Sequence, residues 1–142
     1  MTDAIPFADL EGQMLQATLV RYERLAEIPR TSGVYTAWLD ASTPCFYVGL
    51  ANSLWSRIRS HFSGQRGSDQ FCLYVYDSYV HLQRCESMNR LTTKEVNTHT
   101  AEWIRRNIAF RWVELGAGDL LAAERYLHRT WRPTLNTLQA QS

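Results

Sequence analysis

Two tripeptides, Gly33-Val34-Tyr35 and Tyr47-Val48-Gly49, each set a phenol and a glycine into an apolar, β-favouring run. A tyrosine hydroxyl can donate or accept a hydrogen bond and can surrender its proton. Shortly after the second tripeptide come Arg57, Arg59, His61 and Arg66, and no carboxylate lies between Asp40 and Asp69. Arg57 and His61 are four residues apart, so on a helix they project from the same face. A guanidinium suits anionic oxygens, and an imidazole exchanges protons near neutral pH. The expected picture is two hairpin strands running into a cationic helix, with two tyrosine hydroxyls at one place and a locally positive surface beside them. The plainer reading of the charge cluster alone is a solvated helix face.

The elements that must position these groups follow from pattern. Leu10, Met14, Leu15, Leu19, Tyr22 and Leu25 form one helical stripe over about Asp9 to Glu27, ended by Pro29. Val34 to Leu39 and Cys45 to Leu50 are rich in β-branched and aromatic residues and read as hairpin strands. The turn-prone Asp40-Ala41-Ser42-Thr43-Pro44 joins them. Asn52 or Ser53 is placed to cap the next helix, which Ser63 to Ser68 would stop. Phe71 to Leu82 is nearly all apolar, and periodicity does not separate strand from helix there; the reading leans to helix. Leu91 to Asn97 is polar and reads as loop, and Thr98 to Asn107 as a helical turn or two. Ile108 to Leu115 alternates as a strand, and Gly116-Ala117-Gly118 breaks it. Asp119 is expected to cap a helix over Leu120 to Thr130, with Leu120, Leu121, Ala123, Leu127 and Trp131 facing inward and Pro133 closing it.

Bulk properties narrow the class. At 142 residues the chain is long enough for one compact domain, and its 45% apolar and 20% charged content is that of a globular protein. No apolar run approaches the roughly 20 residues a membrane span needs. The first residues, Met1 to Pro6, lack the basic start and apolar core of a signal peptide. Cys45, Cys72 and Cys85 form no C-x-x-C pair, which argues against a disulfide framework or a zinc site and for a reducing, cytoplasmic setting. The net charge of +1 is weak for holding nucleic acid by bulk electrostatics, so any such binding must be local.

The order and spacing of these elements resemble the GIY-YIG nuclease superfamily. GVY and YVG stand for the two motifs; Arg57 lies eight residues after the glycine of the second, and His61 one helical turn further. Ala122-Ala123-Glu124, followed by Arg132-Pro133-Thr134-Leu135-Asn136, matches the family's helix bearing one glutamate and then a proline and an asparagine. The match covers about Gly33 to Phe62 and Leu120 to Asn136. It implies a small α/β (α+β) sandwich, with a central antiparallel sheet of about three strands flanked by helices. Residues 1–142 would form a single domain, with 1–30 an N-terminal helical extension.

The resemblance also implies a chemistry, the hydrolysis of phosphodiester bonds in DNA. Glu124 would hold one Mg2+, for which Mn2+ could substitute, because that ion prefers carboxylate and water oxygens. Arg57 would donate to phosphate oxygens. Tyr35 is the family's candidate general base or water-orienter. A free phenol is ionised only about once in a thousand at neutral pH, so Arg57 and the metal are expected to favour its phenolate. Tyr47 and His61 would orient water and phosphate, with Tyr35 and His61 sharing or exchanging the base role. Arg59 and Arg66 would contact substrate, and Asn136 would tie the end of the last helix to the site. The chain departs from the pattern at Leu50, where many members carry a lysine, and over Ser63 to Asn107, which aligns with no version of the family. No room is left for a separate DNA-binding region, so the expected partner is DNA, met either by a stand-alone nuclease resembling compact restriction enzymes or by a subunit that relies on a homodimeric copy or a separate DNA-binding partner.

Other features carry less. His99 and Glu102 are spaced as metal ligands but lack a third. His81 and His128 read as peripheral, with a place at the site's edge the lesser alternative for His128, four residues past Glu124. Trp103, Trp112 and Trp131 read as core, and burial is the better reading of Trp55 and Phe62. Two rival readings stand beside the nuclease: a non-catalytic nucleic-acid-binding module that keeps the fold, and an unrelated α/β interaction domain whose two phenols lie far apart.

Overall fold

The computed structural model describes residues 7–81 and 91–136. Met1 to Pro6, Leu82 and Cys85, which the sequence reading touched, lie outside the described residues. Three antiparallel strands, β1 (Gly33–Trp38), β2 (Tyr47–Ala51) and β3 (Ala109–Glu114), form one sheet in the order β2-β1-β3. Central β1 is buried along its whole length. Side chains alternate across a strand, so Tyr35 and Ala37 enter one core while Val34 and Trp38 enter the other. The first core is closed by α2 (Leu54–Phe62), α3 (Gln70–Val75) and α4 (Thr93–Asn107) through Leu54, Ile58, Phe62, Phe71, Val75 and Ile104. The second is closed by α1 (Phe7–Gln16) and α5 (Leu120–Trp131) through Leu10, Met14, Leu120, Ala123 and Leu127. The expected fold, a three-stranded antiparallel sheet flanked by helices, is what the chain adopts.

Both sheet edges are closed by something other than a strand. Val20 exchanges both backbone hydrogen bonds with Phe110 on the β3 side, each at 2.9 Å. On the β2 side the Asn136 side-chain amide takes the place of a neighbouring peptide. Val48 N–H donates to Asn136 Oδ1 at 2.7 Å, and Asn136 Nδ2 donates to Val48 O at 3.0 Å. Leu135 N–H donates to Phe46 O at 2.9 Å. Arg132, in the left-handed region at φ 44°, turns the chain back after α5 so that Leu135 and Asn136 can run beside β2.

The hairpin and its following helix form where the pattern places them. Asp40 Oδ1 accepts from Ser42 N–H and Thr43 N–H, a side-chain-supported turn, and Ser53 caps α2 by accepting from Ser56 N–H. Gly64, at φ 72°, stops that helix and lies so close to α4 that a Cβ there would sit 2.5 Å from Asn97 O.

Four expectations need correction. The stripe over Asp9 to Glu27 is not one helix: α1 ends at Gln16, Val20 joins the β3 edge, and Tyr22–Glu27 is a separate 3-10 segment. The bridge to Phe110 competes with continued helix, and Leu15 is left exposed. Leu91 to Asn97 is not a loop throughout, because α4 begins at Thr93 and runs fifteen residues, absorbing the turns expected from Thr98. Its start is a capping box in which Thr92 and Glu95 satisfy each other's backbone N–H groups. Asp119 stands at the start of α5 but makes no side-chain cap bond there. Leu121 points outward and is half exposed. Phe71 onward is helical, as the reading leaned, with α3 widening into π-type turns over Tyr76–Val80.

The correction on α5 yields a contrast. Leu127→Ala is expected to destabilise the protein by about 3 kcal/mol, the scale for emptying a closed core site, whereas Leu121→Ala should stay within about 0.5 kcal/mol of wild type. Urea titration of the two variants checks this.

Candidate active site

The site is built where β2, β1 and the end of α2 meet. In the β1–β2 register Tyr35 faces Gly49, and the Tyr35 ring lies across that glycine. A Cβ on Gly49 would stand 2.5 Å from the Tyr35 hydroxyl and 2.6 Å from Cζ. The glycine of the YVG tripeptide is therefore required by space. The rings of Tyr35, Tyr47 and His61 then gather, with centroid separations of 6.1, 5.4 and 6.0 Å for the three pairs Tyr35–Tyr47, Tyr35–His61 and Tyr47–His61. Two tyrosines twelve residues apart in sequence thus meet, which removes the reading in which they lie far apart.

His61 is buried, with Phe71 at 4.3 Å and Phe110 at 6.0 Å between ring centres. Its Nε2 is 2.6 Å from the Tyr35 hydroxyl and its Nδ1 is 2.8 Å from Asp69 Oδ2. Burial pulls the His61 pKa below its ordinary value; Asp69 opposes this and Arg57 adds to it. Asp69 is also buried. Burial acts to raise its pKa, but hydrogen bonds from His61, from Ser60 Oγ at 2.6 Å and from Cys72 N–H at 3.3 Å outweigh it, and the carboxyl stays below its ordinary value. A neutral imidazole thus faces an ionised carboxylate inside the protein.

Arg57 favours the Tyr35 phenolate in the expected direction but is outweighed. Burial raises the Tyr35 pKa well above that of a free phenol, the Tyr47 phenol adds to the rise, and Arg57 opposes both without prevailing. Tyr47 is only partly buried, and its pKa is pushed up to about 12, first by burial, with Tyr35 acting in the opposite sense. Of the two phenols, Tyr47 is the one that meets solvent.

Glu124 comes from the far side of the sheet. It sits on α5, is half-buried, and accepts from Leu50 N–H at the outer edge of β2. Burial raises its pKa against the pull of His128, and its charge reaches Tyr47. His128 donates its Nε2–H to Val48 O at 3.0 Å, so α5 and Asn136 grip consecutive peptides of β2. Arg57 is exposed beside a cleft of about 340 Å³ that it lines with Asn52, Ser53, Ser56 and Ser60.

The structure does not bring every expected residue here. Arg59 lies over the Trp55 ring at 5.1 Å, a ring that Arg30 also approaches at 4.0 Å, and lines a neighbouring cleft with Tyr22 and Arg105. Arg66 turns toward α4, where its Nε donates to Asn97 Oδ1 at 2.8 Å and its guanidinium covers Tyr76. His99 is 3.8 Å from Glu102, and among the described residues no three His, Cys, Asp or Glu side chains form a metal cluster. Asp69 is the residue that sequence reasoning missed. Its only signal was to be the first carboxylate after the long gap, eight residues beyond His61 and in N-cap position for α3.

The model of the GIY-YIG catalytic domain matches residues 19–142, and the chain belongs to that family. Its fold is thus that of a GIY-YIG catalytic domain, the domain of a nuclease family. Among solved structures it is similar to the GIY-YIG N-terminal endonuclease domain of UvrC from Thermotoga maritima bound to its catalytic divalent cation, magnesium. That likeness has 16% identity over 80% of this chain and 91% of the other, with a TM-score of 0.43. Two point mutants of the same domain, also bound to the catalytic divalent cation, match at 14% and 18% identity, each over 80% of this chain with a TM-score of 0.43 and over 91% and 90% of theirs. Comparison with curated proteins gave no match.

Two measurements test the packing and charge of this site. Gly49→Ala is expected to destabilise by about 2 kcal/mol through overpacking against Tyr35, read by urea unfolding. The folded-state pKa of His61 lies below its unfolded value near 6.5, so between the two the unfolded chain binds more protons and stability rises with pH. This contribution is complete above about 6.5 and is lost on acidification. Replacing the imidazole in His61→Gln should flatten that part of the stability–pH curve.

Proposed function

We propose that this protein is a Mg2+-dependent endonuclease that hydrolyses phosphodiester bonds in DNA. The observation that carries the reading is the convergence on β2. Tyr47, Tyr35 and His61 meet on one face, Arg57 stands exposed beside them, and Glu124 reaches the edge of the same strand from the other face. A binding module has no need of that combination.

The residues fit a single Mg2+. Glu124 is half-buried with a raised pKa, so a nearby cation would favour its charged form. Mg2+ keeps most of its waters and takes one or two carboxylates, which suits a site with one glutamate. When bound there, the ion would polarise the phosphate and stabilise the departing oxygen. Mn2+ has the same ligand preference and should substitute.

The protein's own groups would do the rest. Arg57 donates to non-bridging phosphate oxygens and offsets the charge that builds there. Tyr47, as the phenol open to solvent, orients the attacking water, while buried Tyr35 stands behind it. The Tyr35 hydroxyl lies within hydrogen-bond reach of His61 Nε2. Arg59, in the adjacent cleft, extends the positive surface along the nucleic acid backbone. Asn136 serves by holding Val48 and hence Tyr47 in place. With one such site per chain, double-strand cleavage would take a second copy or two successive nicks. Cys45 and Cys72 are free and buried, in keeping with a reducing, cytoplasmic setting. Among the described residues no helix is long and apolar enough to cross a membrane.

The test is plasmid nicking. Wild type should bind DNA in EDTA and nick it when Mg2+ or Mn2+ is added, and Glu124→Ala and Arg57→Ala should each lose about a hundredfold or more in rate. Stable binding with no nicking on addition of either metal would favour the non-catalytic module instead.

A further inference from the structure

We propose that Asp69 is a positioning residue for the reaction: it locks His61 in the tautomer whose Nε2 accepts the Tyr35 proton, and so makes the buried imidazole the proton acceptor behind Tyr47. This rests on the nuclease reading above and adds a residue and a proton path to it.

The hydrogen-bond inventory decides the tautomer. Asp69 Oδ2 accepts from Ser60 Oγ at 2.6 Å and Oδ1 from Cys72 N–H at 3.3 Å. An ionised carboxylate has no hydrogen to give, so at 2.8 Å it is His61 Nδ1 that donates. The hydrogen of the neutral ring then sits on Nδ1, and Nε2 carries a lone pair aimed at the Tyr35 hydroxyl 2.6 Å away. The Tyr35 O–H donates inward, and the Tyr47 ring lies 6.1 Å from the Tyr35 ring between centres. The ring stacks among Phe71 and Phe110, so water does not compete at either nitrogen.

The proton balance closes. As water attacks phosphorus it gives one proton to the Tyr47 oxygen. Tyr47 passes its own to Tyr35, and Tyr35 passes its own to His61 Nε2. The imidazolium formed is held by the Asp69 carboxylate, and the departing oxygen takes a proton from solvent. After product leaves, His61 returns its proton outward along the same path. The titratable and charged groups around the imidazole are Tyr35 on β1, Tyr47 on β2, Arg57 on its own helix, Asp69 ahead of α3, and Cys72 on α3, whose thiol donates to His61 O at 3.3 Å.

Asp69→Asn separates this role from mere capping. An asparagine must keep its carbonyl oxygen toward Cys72 N–H to cap α3, which turns its NH2 toward His61 Nδ1. The ring should then flip tautomer, carry its hydrogen on Nε2 and lose the ability to accept from Tyr35. The full chain labelled with 15N-histidine, with His61 assigned through His61→Gln, should show the Nδ1–H form in wild type and the Nε2–H form in Asp69→Asn. Nicking by the variant should fall about a hundredfold in kcat with little change in KM. Its rate should climb in proportion to hydroxide, where that of wild type levels off above the His61 titration. An unchanged tautomer overturns the proposal. So does an inverted tautomer with a wild-type kcat and pH profile. The tautomer is read without substrate, so it judges Asp69 even if wild type and Glu124→Ala prove equally inert on DNA, the result that would instead overturn the nuclease reading.

Discussion

The grip on the backbone of one residue, Val48, is the constraint on which the site depends. β2 is an edge strand, and an edge strand has a row of backbone groups with no partner. Here Asn136 supplies both a donor and an acceptor to Val48, His128 adds a second donor, and Leu50 N–H finds Glu124. These bonds stop the edge from pairing elsewhere and also set its height relative to α5. Because side chains alternate, a strand held at Val48 and Leu50 presents Tyr47 and Gly49 to the opposite face at a defined position. The carboxylate on one face and the phenols on the other are therefore positioned by the same few hydrogen bonds.

On the phenol side a second constraint takes over, the cost of burying polar groups. Tyr35, His61 and Asp69 lie where an unpaired donor or acceptor would be penalised, and each satisfies the next. Among the described residues no buried side-chain nitrogen or oxygen lacks a partner. Within that buried set the direction of donation is fixed at the inner end, where the Asp69 carboxylate can only accept and His61 Nδ1 donates.

Much of this was legible in the sequence, for a physical reason. GVY, YVG, Arg57 and His61 lie on consecutive local elements, a hairpin and the helix it feeds, where periodicity and turn chemistry determine relative positions. Glu124 and Asn136 were legible only through family resemblance, because nothing local says that α5 folds back onto β2. Asp69 was illegible. A single aspartate ahead of a short helix reads as a cap, and it is one; its second oxygen meets His61 only because the turn through Gly64 brings α3 back against α2. The helix over Thr93–Asn107 was underestimated because its polar surface masks the buried Val96, Thr100, Ala101 and Ile104. The expected long first helix failed at Val20, where a tertiary bridge to Phe110 outweighs a helical stripe. Arg66 shows the limit of charge counting, since its place in a basic run says nothing of the Asn97 and Tyr76 that hold it.

The closure of both sheet margins, by Val20 on one side and by Asn136 on the other, has a consequence for assembly. A second copy adding a strand at Phe110 or at Val48 would first have to displace Val20 or Asn136. A pair that met through helical surfaces instead would leave both margins as they are. The symmetry axis of such a pair would then pass between helices, and the stagger between the two cuts would be set by how far apart those helices hold the two sites.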